Sequence, residues 1–195
     1  MFNQRLDELT ALLKSCHYTT DKGPVDADTA LQMQSFLINQ VAEQKGSVYV
    51  IGNGGSSAIA SHIVIDLLNA VGVRAHGFTD ASTLTCFAND YGYEEVYCSP
   101  LEVCLSPQDV VIAISSSGQS ENILRAARLA VQKNVALITF SGFASLNPLR
   151  SLGTLNIWLD SHDYGLVETG HFFLLHTLID FMVRQRKNKL AASVV

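Results

Sequence analysis

Apolar residues recur along the first forty positions at the spacing of a helix. Phe2, Leu6, Leu9, Leu12 and Leu13 fall three and four apart, and Ala30, Met33, Phe36, Leu37 and Val41 repeat the pattern, which predicts two amphipathic helices. Gly23-Pro24 between them reads as a breaker, and Asp26 or Asp28 as the cap of the second helix. From Gly46 the period changes. Ser47 to Ile51 is a short β-branched and aromatic run that ends in Gly-Asn-Gly-Gly, and a helix-like stretch from about Ser57 to Asn69 follows it.

The same grammar continues down the chain. Val73 to Phe78, Asp109 to Ile114, Val135 to Phe140 and Leu155 to Leu159 read as further strands, with a helix near 120–132 and a last helix over about Val167 to Arg184. Continuous apolar strands separated by helices indicate a parallel sheet covered on both faces. The expected fold is one doubly wound α/β domain with a five-stranded parallel sheet over 46–195 and a helical N-terminal arm over 1–45.

Composition narrows the function. Only 16% of the 195 residues are charged against 48% hydrophobic, which excludes a disordered chain and leaves uncharged surface for a second subunit to cover. The formal net charge of -5 argues against nucleic acid as a partner. No signal peptide is expected at the acidic N-terminus, and no apolar run reaches the roughly 18 to 20 residues of a membrane span, so the reading is a cytoplasmic protein without a membrane partner. Cys16, Cys86, Cys98 and Cys104 lack paired spacing and read as reduced, mostly buried thiols. Arg184, Arg186, Lys187 and Lys189 read as a solvated run at the end of the last helix, and Trp158 as core.

In a doubly wound sheet, ligands bind beyond the carboxyl ends of the strands, so the strand-to-helix loops carry the functional signal. Gly52-Asn53-Gly54-Gly55-Ser56-Ser57 brings backbone N–H groups close to a ligand at a helix start. Alone it resembles a dinucleotide fingerprint with Ser57 in place of the third glycine, a weak signal because a plain tight turn uses the same glycines. Ile114-Ser115-Ser116-Ser117-Gly118-Gln119-Ser120 decides for a phosphate: four hydroxyls beside a helix N-terminus exceed what capping needs, and they suit a sugar phosphate better than a dinucleotide.

Those two motifs, with Leu84-Thr85-Cys86-Phe87-Ala88-Asn89-Asp90-Tyr91-Gly92-Tyr93 between them, resemble the sugar isomerase (SIS) domain, and within it the bacterial phosphoheptose isomerases. The resemblance spans nearly the whole chain. It implies a flavodoxin-like sheet, a homotetramer with sites at subunit interfaces, and isomerisation of sedoheptulose 7-phosphate to D-glycero-D-manno-heptose 7-phosphate through an enediol.

That chemistry needs a base, an acid at the oxygens and stabilisation of the enediolate. His62 and Asp66 stand four apart, on one helix face, and read equally as metal ligands or as a structural pair. Glu168, His171 and His176 lie on an apolar helix, where a single histidine is ordinarily a core residue. The resemblance implies Zn2+ held by His62, Asp66, Glu168 and His176, with Asp66 as base and His176 as acid. It also implies substrate contacts from Asn53, Gly54, Gly55, Ser56, Asp90, Ser115, Ser116, Ser117, Ser120 and Glu168. His171 matches a family histidine without an assigned role.

Four positions depart from the family: Asp66 stands for Glu, Glu168 for Gln, Gly165 for an Asp that contacts sugar hydroxyls, and Ser57 for a frequent His. If helical, Glu168 and His176 stand about 12 Å apart along the axis. Either Glu168 then leaves the helix or different subunits supply the ligands. The competing reading is a non-catalytic SIS protein that binds a sugar phosphate or a protein partner, as relatives that assist the replication initiator do.

Overall fold

The computed structural model describes the backbone of residues 1–192 and side chains through residue 188. Its sheet has seven strands: β1 (His17–Thr20), β2 (Gly23–Val25), β3 (Val48–Gly52), β4 (Ala75–His76), β5 (Val110–Ser115), β6 (Ala136–Ser141) and β7 (Leu155–Trp158). Their spatial order is β2-β1-β7-β6-β5-β3-β4. The five expected strands form the parallel part, in the order second, first, third, fourth, fifth. The chain therefore winds one way from β3 to β4 and the other way from β5 onward, and the switch point lies between the ends of β3 and β5.

Every residue of β3 and β5 is buried, which explains their unbroken apolar runs. Successive side chains serve opposite faces. Val48, Val50, Val110 and Ile112 join one core with Ile38, Ile63, Leu175 and Leu178, whereas Tyr49, Ile51, Val111 and Ala113 join a second with Tyr97, Leu101, Ile123 and Ala127. The helices that close these cores are α1 (Phe2–Lys14), α2 (Ala27–Glu43), α3 (Gly55–Asp66), α4 (Ala81–Tyr91), α5 (Cys98–Cys104), α6 (Glu121–Gln132) and α7 (Tyr164–Ala192). Asp26 caps α2 by accepting from Thr29 N–H at 2.8 Å.

Several expectations are corrected. The Gly23-Pro24 breaker lies inside a strand, because β1 and β2 form an antiparallel hairpin on the free edge of β7. Pro24 is tolerated there because an edge strand leaves alternate N–H groups unused. The segment is short and polar, and only Tyr18 of β1 is buried, so hydrophobic patterning carries no trace of it. The expected strand over 73–78 shortens to two residues at the opposite edge.

Beyond Asp66, α3 continues as one π-helical turn, Leu67–Val71, ending at Gly72. The last helix runs further at both ends than its apolar core suggests. By length and composition alone its residues 164–188 are apolar enough to cross a membrane, although Glu168, His171, His176 and Asp180 break the apolar run. Here Val167, Leu175, Leu178, Ile179 and Met182 are buried in the protein instead. The basic run lies within this helix rather than beyond it: Arg186 Nη1 donates to Val71 O at 2.9 Å and holds the end of the π turn. The side chain of Lys189 lies outside the described residues. The thiols are more open than expected, with Cys86 and Cys104 exposed and Cys16 and Cys98 half-buried; Trp158 is buried, as its place in the last strand implies.

Candidate active site

Both loops at the switch point face one cavity of about 230 Å³, lined by Asn53, Gly54, Gly55 and Ser56 from the first loop and by Ser115, Ser116, Ser117 and Ser120 from the second. Glu168 and Tyr164, from the start of α7, also line it, and among the described residues neither Lys nor Arg does. Donors come from the chain itself. α3 begins at Gly55 behind Gly54, and α6 begins behind Ser120, so two helix N-termini open here.

Local geometry explains the composition of the loops. Gly118 has a φ of +63° and its α-carbon lies against Asn147, so a side chain there is excluded by both backbone and space. The turn is closed by Gly118 N–H donating to Ser115 O at 3.1 Å and lying 3.2 Å from Ser115 Oγ. Ser117 Oγ accepts from Gln119 N–H at 3.2 Å. The two other hydroxyls stay free: Ser120 occupies the cap position of α6 without making the side-chain cap bond, and the buried Ser116 Oγ has no partner. At Gly55 a β-carbon would displace the carboxylate of Glu168, so this glycine makes the room in which Glu168 reaches the first loop.

A second group lies further along the same two helices. His62 and Asp66 of α3 meet His176 of α7, with Asp66 Oδ2 3.3 Å from His62 Nε2 and 3.6 Å from His176 Nδ1. One ligand atom from each of the three lies within 4.8 Å of the others. Phe172, one turn before His176, packs edge-on against both imidazoles, at 5.1 Å and 4.6 Å between ring centres. Two imidazole nitrogens and one carboxylate are a donor set suited to a borderline divalent cation such as zinc, with a coordination position left for substrate or water.

The other expected site residues separate from this group. Glu168 is helical and belongs to the cavity between the two loops, so a non-helical turn does not resolve its distance from His176, and it is absent from the three-residue cluster. Asp90, near the end of α4, is exposed and outside the cavity; its carboxylate accepts from Asn89 Nδ2 at 2.9 Å. His171 is fully buried. Its Nε2 lies 3.1 Å from Ser141 O, which can only accept, so Nε2 carries the proton and Nδ1 has no partner. Burial pushes its pKa down to about 4, against a smaller upward effect of the Ser141 bond.

Sequence reasoning missed Tyr164, Phe172 and a polar link between Asn53, Tyr93 and Asn122. Asn122 follows Ser120 by two residues at the start of α6, and that adjacency was the available signal.

Known proteins fit this picture. Residues 25–142 match the SIS domain family. A phosphoheptose isomerase of Helicobacter pylori (strain Shi470) is 32% identical over 159 residues, covering 78% of this chain and 82% of that protein. One from Pelobacter propionicus is 31% identical over 189 residues, covering 91% and 96% respectively. In fold, the structure of phosphoheptose isomerase from Neisseria gonorrhoeae superimposes with a TM-score of 0.79 over 93% of this chain and 94% of that one, at 22% identity. With most of its length shared at this level, the chain belongs to the SIS domain family and, within it, to the phosphoheptose isomerases.

Proposed function

We propose that this protein is an aldose–ketose isomerase that converts sedoheptulose 7-phosphate to D-glycero-D-manno-heptose 7-phosphate. The observation that carries the reading is that α3 and α7 each serve both halves of the site. α3 opens at the glycine loop and carries His62 and Asp66; α7 places Glu168 in the phosphate cavity and His176 in the cluster. A substrate anchored by its phosphate is thereby presented to an acid/base set on a common frame.

The serines and helix N-termini bind the phosphate and fix the sugar's direction. Asp66 takes the proton from the carbon beside the carbonyl and returns it to the neighbouring carbon, and His176 exchanges a proton with the oxygens. Glu168, held against Gly55, accepts hydrogen bonds from sugar hydroxyls. His62, Asp66 and His176 would hold a divalent cation, which we take to be zinc; bound there it would stabilise negative charge on the substrate oxygens. The uncharged surface suits a homotetramer with sites completed across interfaces, in the cytoplasm.

Purified protein supplied with sedoheptulose 7-phosphate, followed by NMR of the sugar and elemental analysis, tests the reading. Turnover with about one zinc per chain is expected. No turnover of any ketose phosphate together with no bound metal overturns it, and light scattering that shows a monomer overturns the assembly.

A further inference from the structure

Asn53 lines the phosphate cavity, and an amide is nearly symmetric in shape, so something must decide whether it shows the cavity a donor or an acceptor. The deciding group is on α6. Ile123 N–H, which can only donate, lies 3.0 Å from Asn122 Oδ1 and fixes which end of that amide is oxygen. Asn53 Nδ2 then donates to the same Oδ1 at 2.9 Å, and Asn122 Nδ2 donates to Asn53 Oδ1 at 2.8 Å. Tyr93 OH donates to Asn53 Oδ1 as well, at 3.2 Å. The carbonyl oxygen of Asn53 is fully occupied, and its one uncommitted polar hydrogen is on Nδ2.

We propose that Asn122 is a positioning residue that locks the Asn53 amide as a hydrogen-bond donor toward the phosphorylated ligand, with Tyr93 as its auxiliary. Asn122 is 3% exposed and does not line the cavity, so it acts through Asn53 rather than on the ligand. It also ties the loop after β3 to the helix that starts at the serine loop. Both anion-binding loops are thereby held at one spacing across the switch point. The inference rests on the phosphate reading of the cavity and not on the isomerase reaction.

The test is a double-mutant cycle read by calorimetric binding of inorganic phosphate and of sedoheptulose 7-phosphate, with KM and kcat where turnover is seen. Asn122→Asp keeps the shape and the acceptor for Ile123 N–H but replaces the N–H that Asn53 Oδ1 accepts with a second acceptor, so the pair no longer holds the Asn53 amide in one orientation. Affinity is expected to fall about tenfold or more, with kcat changed less than about threefold. In an Asn53→Ala background the same substitution is expected to cost less than about threefold, because the residue it works through is gone. Tyr93→Phe, at an exposed position, is expected to cost about two- to threefold in the native background and nothing in Asn53→Ala.

Equal losses from Asn122→Asp in both backgrounds mean that it acts through its charge, and they overturn the proposal. So does a folded Asn122→Asp protein with native affinity. If Asn122→Asp does not fold, the Tyr93→Phe pair decides by the same criterion. A native protein that binds phosphate without isomerising any ketose phosphate refutes the reaction and leaves this inference to be decided by the phosphate affinities. A native protein that binds neither ligand refutes both.

Discussion

The cavity at the ends of β3 and β5 is lined mainly by loop backbone and hydroxyls, whereas the His62, Asp66 and His176 cluster is made of side chains projecting from α3 and α7. The first leaves little freedom to the sequence. Gly118 cannot become another residue without leaving its backbone conformation and striking Asn147, and Gly55 cannot without displacing Glu168. The second needs only that certain positions face one another, so a shorter carboxylate at Asp66 still reaches both histidines. On the proposed reading, anchoring is set by the fold and reactivity is left to a few exchangeable side chains. A family built this way can keep its phosphate handle while its chemistry and sugar preference drift.

The sharpest break between the halves comes from removing reactivity and leaving the anchor. Asp66→Asn removes a proton acceptor at an unchanged size, and kcat is expected to fall about 10³-fold. Binding of inorganic phosphate, measured by calorimetry, is expected to stay within about threefold of the native value. Chelation should act alike: activity is lost and returns with zinc, while phosphate binding persists. A parallel loss of phosphate affinity in either experiment means that the cluster is part of the anchor, and the division fails.

His171 tests whether the halves share a frame, since it stands on α7 between Glu168 and His176 and bonds to the end of β6. Unfolded, its imidazole takes up a proton near the ordinary pH of about 6.5; folded, it does so only near 4, because burial opposes the charge. Between those values the unfolded chain binds more protons. The stability contribution is complete above pH 6.5 and is lost as pH falls toward 4, by up to about 3 kcal/mol. Chemical denaturation of chelator-treated protein across this range measures it. His171→Gln retains an N–H for Ser141 O without a titrating group, and its stability is expected to lose most of this slope. An unchanged slope removes His171 as the cause.

The contrast also governs what was legible in the sequence. β3 and β5 and the loops after them are contiguous, and their buried strands, glycines and serines stand side by side in the chain, so the sheet's centre and the anchor could be read directly. The β1–β2 hairpin was hidden because edge strands bury little: one buried residue in His17–Thr20 leaves no period to detect. The pairing of His62 and Asp66 follows from helical spacing, but their meeting with His176, 110 positions later, is a tertiary fact supplied only by resemblance. The same resemblance grouped Glu168 with the metal ligands and Asp90 with the substrate contacts. Within one chain a continuous helix carries Glu168 about two turns away from His176, and Asp90 faces outward, so their grouping requires different subunits to supply them. Asn122 went unnoticed for a related reason: its place two residues after Ser120 sets it beside the serine loop, but nothing in the sequence ties it to Asn53.

Ser116 offers the finest probe of the anchor. Its Oγ is buried without a partner, and an unsatisfied buried hydroxyl costs of the order of 1–3 kcal/mol. Ser116 lines the cavity, so a bound phosphate oxygen could take the hydrogen bond that no protein group takes. Ser116→Ala removes the unpartnered hydroxyl and the proposed ligand contact together, so its effects on stability and on affinity differ. Affinity for sedoheptulose 7-phosphate is expected to fall about tenfold, as for one charge-assisted bond, with kcat unchanged within about threefold. The melting temperature of the ligand-free protein is expected to stay level or rise. The added stabilisation by saturating phosphate is expected to shrink in proportion to the lost affinity. A serine that serves only the loop's own structure gives the reverse: a lower melting temperature and native affinity. That outcome would return the four hydroxyls to local turn chemistry and leave the helix N-termini as the anchor.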